Sequence, residues 1–520
     1  MVHMSDQPTQ VSNGTQPSTS TVSIDQTRVA KRTLGTWQII VLIIGAMTPL
    51  AVIVGTAPLG FAFGGPSTVL AFLIAGIVIG IFCIGYVQMV RRIDRPGAFY
   101  NYIARGLGRP AGVGGAMVGT IGYLFGFLGA AAIQGFTLQE SIIALTGVEV
   151  PWVLLHVIPL LLVGFLIYRR IDISAMLISI IVAFEVVLLL ALSFAIIARD
   201  GIANALPLEV ISPDVFSIGS WTVAFIFAFL CFQGYEAGAL YAPEAKNPGK
   251  TVPRALYGAL AIIVVVLVLT TWTLTSVSGI ETQMDVVLEQ GLSGFIFATV
   301  GEYLGTFGLV LFSIGSLLAQ LAVMITIGNF MSRYLNGLAR DSILPSYLGR
   351  LNKHGAPYAA QFTLIGIGIF VPLLVWAFGG DPYTQVSTIA FGVGAIAATL
   401  LQALASISVV GYFLKQPAAQ RSLWKQIIIP SIASVLLIAA LAIELAGFSW
   451  ITGVEAGWTV LLPILVFAML VFGIGFGYWL RKNRPEVYQD LAAGDSAEEA
   501  AAIRTDRLMT QAAAREQKKQ

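Results

Sequence analysis

The sequence predicts an all-α polytopic membrane protein of 12 transmembrane helices, with a 5+5 inverted repeat, discontinuous helices 1 and 6, and two C-terminal helices. Three observations predict it: twelve apolar stretches long enough to cross a bilayer, an alternation of lysine and arginine among their connections, and matched interruptions in the first and sixth stretches.

Composition sets the class. The chain has 520 residues, 57% hydrophobic and only 11% charged, where a typical soluble protein is about 25% charged. Its 54 glycines exceed average usage, as transmembrane helices do. A soluble globule of this size needs more polar surface than these residues supply.

Taken in order, residues 1–35 are rich in Ser, Thr and Gln without an apolar run. They are expected to be a disordered cytoplasmic tail, with no cleaved signal, so that helix 1 directs insertion. Residues 36–482 are expected to form the transmembrane domain. Its spans lie near 37–61, 68–90, 112–138, 151–168 and 174–198, then 218–243, 252–277, 303–335, 358–378 and 386–413, then 426–447 and 458–480. Thus helices 1–5 occupy 37–198, helices 6–10 occupy 218–413, and helices 11–12 occupy 426–480. Each is near the roughly 20 residues that cross about 30 Å of hydrocarbon, and too long for the strand of a β-barrel. Residues 483–520, rich in Ala, Glu and Gln, read as a cytoplasmic C-terminal tail. Two cysteines, Cys83 and Cys231, both in apolar stretches, make no disulfide framework, and three histidines leave little for a metal or haem site.

Charge sets the orientation. Of 29 lysines and arginines, only Arg199 falls in the connections alternate to the N-terminal tail. Positive residues stay cytoplasmic, which puts both termini inside a plasma (cell inner) membrane. The cluster Arg91, Arg92 and Arg95 is part of this signal, and could also bind anionic lipid.

Span 1 contains Gly45, Pro49, Gly55 and Pro58, and span 6 carries Gly234 beside Gln233, Tyr235 and Glu236. Proline removes an N–H and clashes with the carbonyl four residues back. Backbone freed in this way survives in hydrocarbon only where it lines a cavity or finds partners. Two interrupted spans five helices apart point to a transporter site built from discontinuous helices. A five-helix repeat is odd, so its second copy is inverted.

Glu185 is the most informative side chain. It lies mid-span, 13 residues after Asp172 and 14 before Arg199. An acid at that depth costs about 2.5–3.5 kcal/mol on insertion scales. Such residues usually face the protein interior and mark ion or proton paths. Glu185 is therefore a candidate for loading and releasing the coupling proton, against a permanently neutral acid bonded to a neighbouring helix. Glu236 beside the break either accepts bonds from unwound amides or gates helices 1 and 6 with pH. Glu140 and Glu444 read as interfacial. Met47 and Thr48 flank the first break, where the Thr48 hydroxyl either meets substrate or bonds its own helix. Phe229 and Phe232 are either a lid over substrate or ordinary packing. Ser313, Ser316 and Gln320 form a polar stripe that faces span 1 or bonds another helix.

The segments FQGYEAGALYAPEAKNPGKTVPRA (232–255), ARDSILPSYLGRLNKHGAPYAA (339–360) and RPGAFYNYIARGLGRP (95–110) resemble signatures of the amino acid–polyamine–organocation (APC) superfamily, through roughly residues 33–482. The resemblance implies a five-plus-five inverted repeat and secondary transport of amino acids or amines. It implies a turn in helix 1 whose amides bind a substrate carboxylate. Aligned on Gly45, those amides belong to Leu50, Ala51 and Val52, since Pro49 cannot donate, and Leu50 takes space that relatives leave free. Leu230 stands where several relatives place an aromatic gate, which Phe229 or Phe232 could replace. Glu185 stands where sodium-independent relatives carry a lysine.

The expected function is a proton-coupled importer of an amino acid or related small zwitterion, with an exchanger or a polyamine carrier as the alternative. Its partners are that small molecule, protons and the lipid bilayer. The candidate substrate site comprises Gly45, Met47, Thr48, Leu50, Ala51, Val52, Phe229, Leu230, Phe232 and Gly234, with Glu185 and Glu236 for the proton. No catalytic residue, cofactor, metal or nucleic acid is expected, and no oligomeric state is assigned. Scattered His3, His156 and His354 argue against a membrane-embedded enzyme, and GLGRPAGVGG (106–115) lacks the Lys-Ser/Thr pair of a nucleotide loop. Internal inverted symmetry argues against a channel.

Overall fold

A computed structural model describes residues 33–92, 99–169, 175–340, 342–417, 421–451 and 460–490. The expected tails, apart from residues 33–35 and 483–490, lie outside the described residues, as do Asp172 and Arg95. Among the described residues the elements are helical, with one isolated bridge between Leu34 and Ala245.

Among the described residues, ten helices are long and apolar enough to cross a membrane: Thr36–Gly64, Ser67–Val90, Arg109–Thr146, Leu177–Asp200, Pro248–Ser278, Leu292–Arg340, Tyr358–Ala377, Pro382–Leu414, Trp424–Ser449 and Leu461–Asn483. They match predicted spans 1, 2, 3, 5 and 7 to 12. The stretches predicted as spans 4 and 6 form shorter helices, Trp152–Tyr168 and Trp221–Cys231. Span 6 is short because Gly234 turns left-handed at φ 100°, after which the chain winds as a 3₁₀ helix over Tyr235–Glu244. Predicted span 8 is longer than expected, because Gly305 (φ 66°) joins an added helix, residues 292–304, to the span proper.

Burial separates a centre from a periphery. In span 1 the apolar window is 94% buried, against 22% in span 12. Spans 4, 5, 9, 11 and 12 expose Ile158, Phe165, Val187, Phe370, Val435 and Phe472 outward. In lipid this exposure costs nothing, because hydrocarbon tails are as apolar as these side chains. Cys83 and Cys231 are buried free thiols.

Side-chain bonds hold the connections. In the loop after span 8, the Asn352 amide donates to Tyr168 O at 2.7 Å while its Oδ1 accepts from the His354 and Ala356 amides. Asn336 donates to Leu348 O at 3.0 Å. The segment before span 3 forms a short helix, Phe99–Leu107, fastened to the end of span 10 by Lys415 Nζ donating to Gly106 O at 2.9 Å. Arg199 bonds the Glu302 carboxylate at 2.9 Å and lies over the Tyr303 ring.

Glu444 departs from its expected interfacial place. It is fully buried, with Thr399 Oγ1 donating to Oε1 at 2.8 Å. Spans 10 and 11 pack closely there, so the end of span 11 is covered by protein.

Candidate functional site

Span 1 breaks at Thr48, not at a glycine. Its φ of 40° is left-handed, and its N–H closes the first half-helix on Ile44 O at 2.8 Å. Pro49 starts the second half with the fixed φ that suits a helix start. The Val52 amide is bonded within the turn, to Thr48 O at 3.1 Å. The Leu50 amide instead leaves the helix and donates to Glu185 Oε2 at 3.4 Å.

Span 6 is held open by its own carboxylate. The Gly234 amide donates to Glu236 Oε2 at 2.9 Å, and Tyr123 of span 3 donates to Oε1 at 3.3 Å. Gln233 reaches Gly394 O of span 10 at 3.0 Å. The two breaks lie against each other: a Cβ at position 234 would stand 3.1 Å from Ala46 O. Where span 1 begins and span 6 ends, Leu34 and Glu244 to Lys246 exchange two backbone bonds of 2.9 Å.

A cavity of about 680 Å³ opens between the breaks. Its polar lining includes Thr48, Thr56, Glu185, Gln233, Glu236 and Gln320, and its apolar walls include Ala51, Val52, Phe127, Ile133, Leu230 and Phe391. It runs past Tyr123, Phe330 and Tyr334 to a mouth at Tyr100, Glu244 and Arg333. The far end is shut. Ser293 Oγ donates to Val54 O at 3.0 Å, and Tyr383 Oη donates to Gly55 O at 3.2 Å, tying the π-helical turn Val52–Thr56 to the starts of the helix before span 8 and of span 10. The two hydroxyls are 3.1 Å apart.

Of the residues expected from sequence, Gly45, Met47, Thr48, Ala51, Val52, Leu230, Gly234, Glu185 and Glu236 line this cavity. Gly45 also lets span 5 approach, since a Cβ there would meet Ile178 at 2.8 Å. Three expected residues are elsewhere. The Leu50 side chain is fully buried and turned to Gly315 of span 8, so it takes none of the cavity's space. Phe229 stacks on Phe225 and Phe232 packs toward Phe72 of span 2, so neither covers the cavity. Leu230, between these two rings in sequence, lines the cavity.

Gln320 of the polar stripe lines the cavity, while the hydroxyls of Ser313 and Ser316 are buried without a hydrogen-bond partner. Tyr123, Phe330, Tyr334, Ser293 and Tyr383 were not legible from sequence, since a lone hydroxyl or ring in an apolar span carries no sign of the face it occupies. Glu185 is fully buried, with Oε1 unpartnered. Among the described residues, no group of His, Cys, Asp and Glu is placed to hold a metal.

A family model described as amino acid permease matches residues 34–485. The chain is 26% identical to a branched-chain amino acid permease (BcaP) of Lactococcus lactis, over 64% of this chain and 74% of that one. It is 22% identical to a branched-chain amino acid permease of Bacillus subtilis, over 86% and 93% of the two chains. It is 23% identical to an L-lysine transport protein of Corynebacterium glutamicum, over 65% and 68%.

Proposed function

This chain belongs to the amino acid permease family, and on that premise we propose that it imports an amino acid across the plasma membrane by alternating access, coupled to protons. It is a multi-pass membrane protein, and its relatives are permeases rather than enzymes. The observation that carries the reading is the cavity between two broken spans that lie against each other. Unwound backbone at membrane depth is tolerated where it lines such a cavity, and it supplies the amides and carbonyls that bind a zwitterion.

Twelve spans with a five-plus-five inverted repeat account for the antiparallel meeting of span 1 with span 6. The cavity's mouth lies near connections rich in lysine and arginine, so with both termini inside, this conformation faces the cytoplasm. The bonds of Ser293 and Tyr383 then close the outer side. Substrate would sit beside Thr48, Ala51 and Gly234, its side chain against Phe127, Ile133 and Leu230. Those walls suit an apolar side chain, such as those handled by the branched-chain permeases. A cationic substrate is the second reading, favoured by the unpartnered oxygen of Glu185. Spans 1 and 6 would rock against the scaffold as Glu185 loads and releases its proton.

The test is uptake of pooled labelled amino acids and amines into sodium-free proteoliposomes, with voltage clamped and an inward proton gradient. Concentrative uptake that disappears in Glu185→Gln supports the reading. Uptake that requires preloaded substrate and ignores the gradient makes the protein an exchanger and overturns the role of Glu185.

A further inference from the structure

We propose that the Glu185 carboxylate is a built-in competitor for the substrate's carboxylate at the Leu50 amide, so that each amino acid enters its site together with one proton. This rests on the reading of the chain as an amino acid permease with its site at the broken spans.

Three observations carry it. The first half-helix of span 1 ends at Thr48, Pro49 has no N–H, and the Val52 amide is bonded to Thr48 O. The Leu50 amide, the first donor of the second half-helix, is engaged by Glu185 Oε2. The carboxyl that engages it is fully buried, lines the cavity and leaves Oε1 without a partner. A side chain from another helix thus occupies a donor that a bound carboxylate would use.

The surroundings make the occupancy exclusive. Among the described residues, the hydrogen bond that Glu185 accepts comes from the Leu50 amide, and its Oε1 has no partner. The other ionisable groups of the cavity are the Cys231 thiol, Glu236 and Tyr123, the last two bonded to each other, and Tyr100, Tyr241, Glu244, Arg333 and Tyr334 toward the mouth. With no cation beside it, an ionised Glu185 and a substrate carboxylate at one amide repel each other. A proton taken from the aqueous mouth converts Glu185 from acceptor to donor. It then releases the Leu50 N–H and offers its own O–H to the incoming carboxylate. Because the Leu50 side chain faces span 8, the exchange concerns backbone and carboxyl alone.

The test titrates purified full-length protein with L-leucine and L-lysine, and with their carboxyl-free counterparts isopentylamine and cadaverine, in calorimetry buffers of differing ionisation enthalpy. The expected result is uptake of about one proton per amino acid bound, with Kd rising about tenfold per pH unit where Glu185 is ionised. The amines take up none. Glu185→Gln binds the amino acids without proton uptake and without the pH dependence; should that variant fail to fold, the wild-type contrast of amino acid with amine decides alone. Amino acid binding to wild type without proton uptake, or equal uptake with the amines, overturns the inference while leaving amino acid transport standing. Failure of both amino acids to bind wild type at every pH overturns the underlying reading as well.

Discussion

Replacing Tyr383 by phenylalanine removes one hydroxyl from the closed end of the cavity and leaves its ring in place against Phe136, 5.5 Å between centroids. The hydroxyl donates to Gly55 O at 3.2 Å, within the π-helical turn of span 1. That carbonyl is buried, so losing its donor costs about 1–3 kcal/mol. If spans 1 and 10 separate when the cavity opens to the other side, the cost falls only on the conformation seen here. The equilibrium then moves toward the opposite conformation by roughly 5- to 150-fold, at about 1.4 kcal/mol per factor of ten. The assay is labelling of a Thr56→Cys reporter, which ends the turn and lines the cavity, with Cys83 and Cys231 replaced by serine, by a membrane-impermeant maleimide applied from the outer face of sealed vesicles. Tyr383→Phe should speed labelling by at least fivefold, with Ser293→Ala acting in the same direction through Val54 O. Unchanged labelling in a variant of unchanged thermal stability would refute the view that these hydroxyls hold the closed side.

Gly234→Ala should cost about 1–3 kcal/mol from its left-handed backbone, with the new Cβ pressed to 3.1 Å from Ala46 O; a lowered melting temperature of purified protein and weaker substrate binding check it. Glu444→Gln can keep the acceptor for Thr399 and remove the acid. It should leave proton-coupled uptake at wild-type level if Glu185 alone carries the proton, and loss of gradient-driven uptake with normal expression would assign the proton to span 11 instead.

Much of the architecture was legible because membrane insertion is governed by sums over a span. Apolar length, glycine content and the side on which arginine and lysine fall are additive along the chain, and they mark spans without reference to neighbours. Breaks were legible for a related reason: Pro49 and Gly234 act on their own backbone. The position of the first break was less so, because the left-handed residue is Thr48, an ordinary side chain that the adjoining proline and packed spans hold there. Glu185 stood out because a carboxyl is costly in hydrocarbon wherever it points.

Rotation about each helix axis was not legible. The helix of span 6, Trp221–Cys231, is apolar almost all round, so no stripe distinguishes Leu230, which lines the cavity, from Phe229 and Phe232, which do not. Leu50 shows the same limit, its amide facing Glu185 while its side chain is turned to span 8. Glu444 reads as interfacial from its distance along span 11, yet it is buried by span 10, which sequence distance does not contain. By itself the sequence determined the class of the protein, most of its spans and which spans must break, because these depend on the cost of each group in lipid. Only the tertiary structure decided which faces meet, that Glu185 reaches the Leu50 amide, and that Tyr383 closes on Gly55, because each of these depends on two helices far apart in the chain.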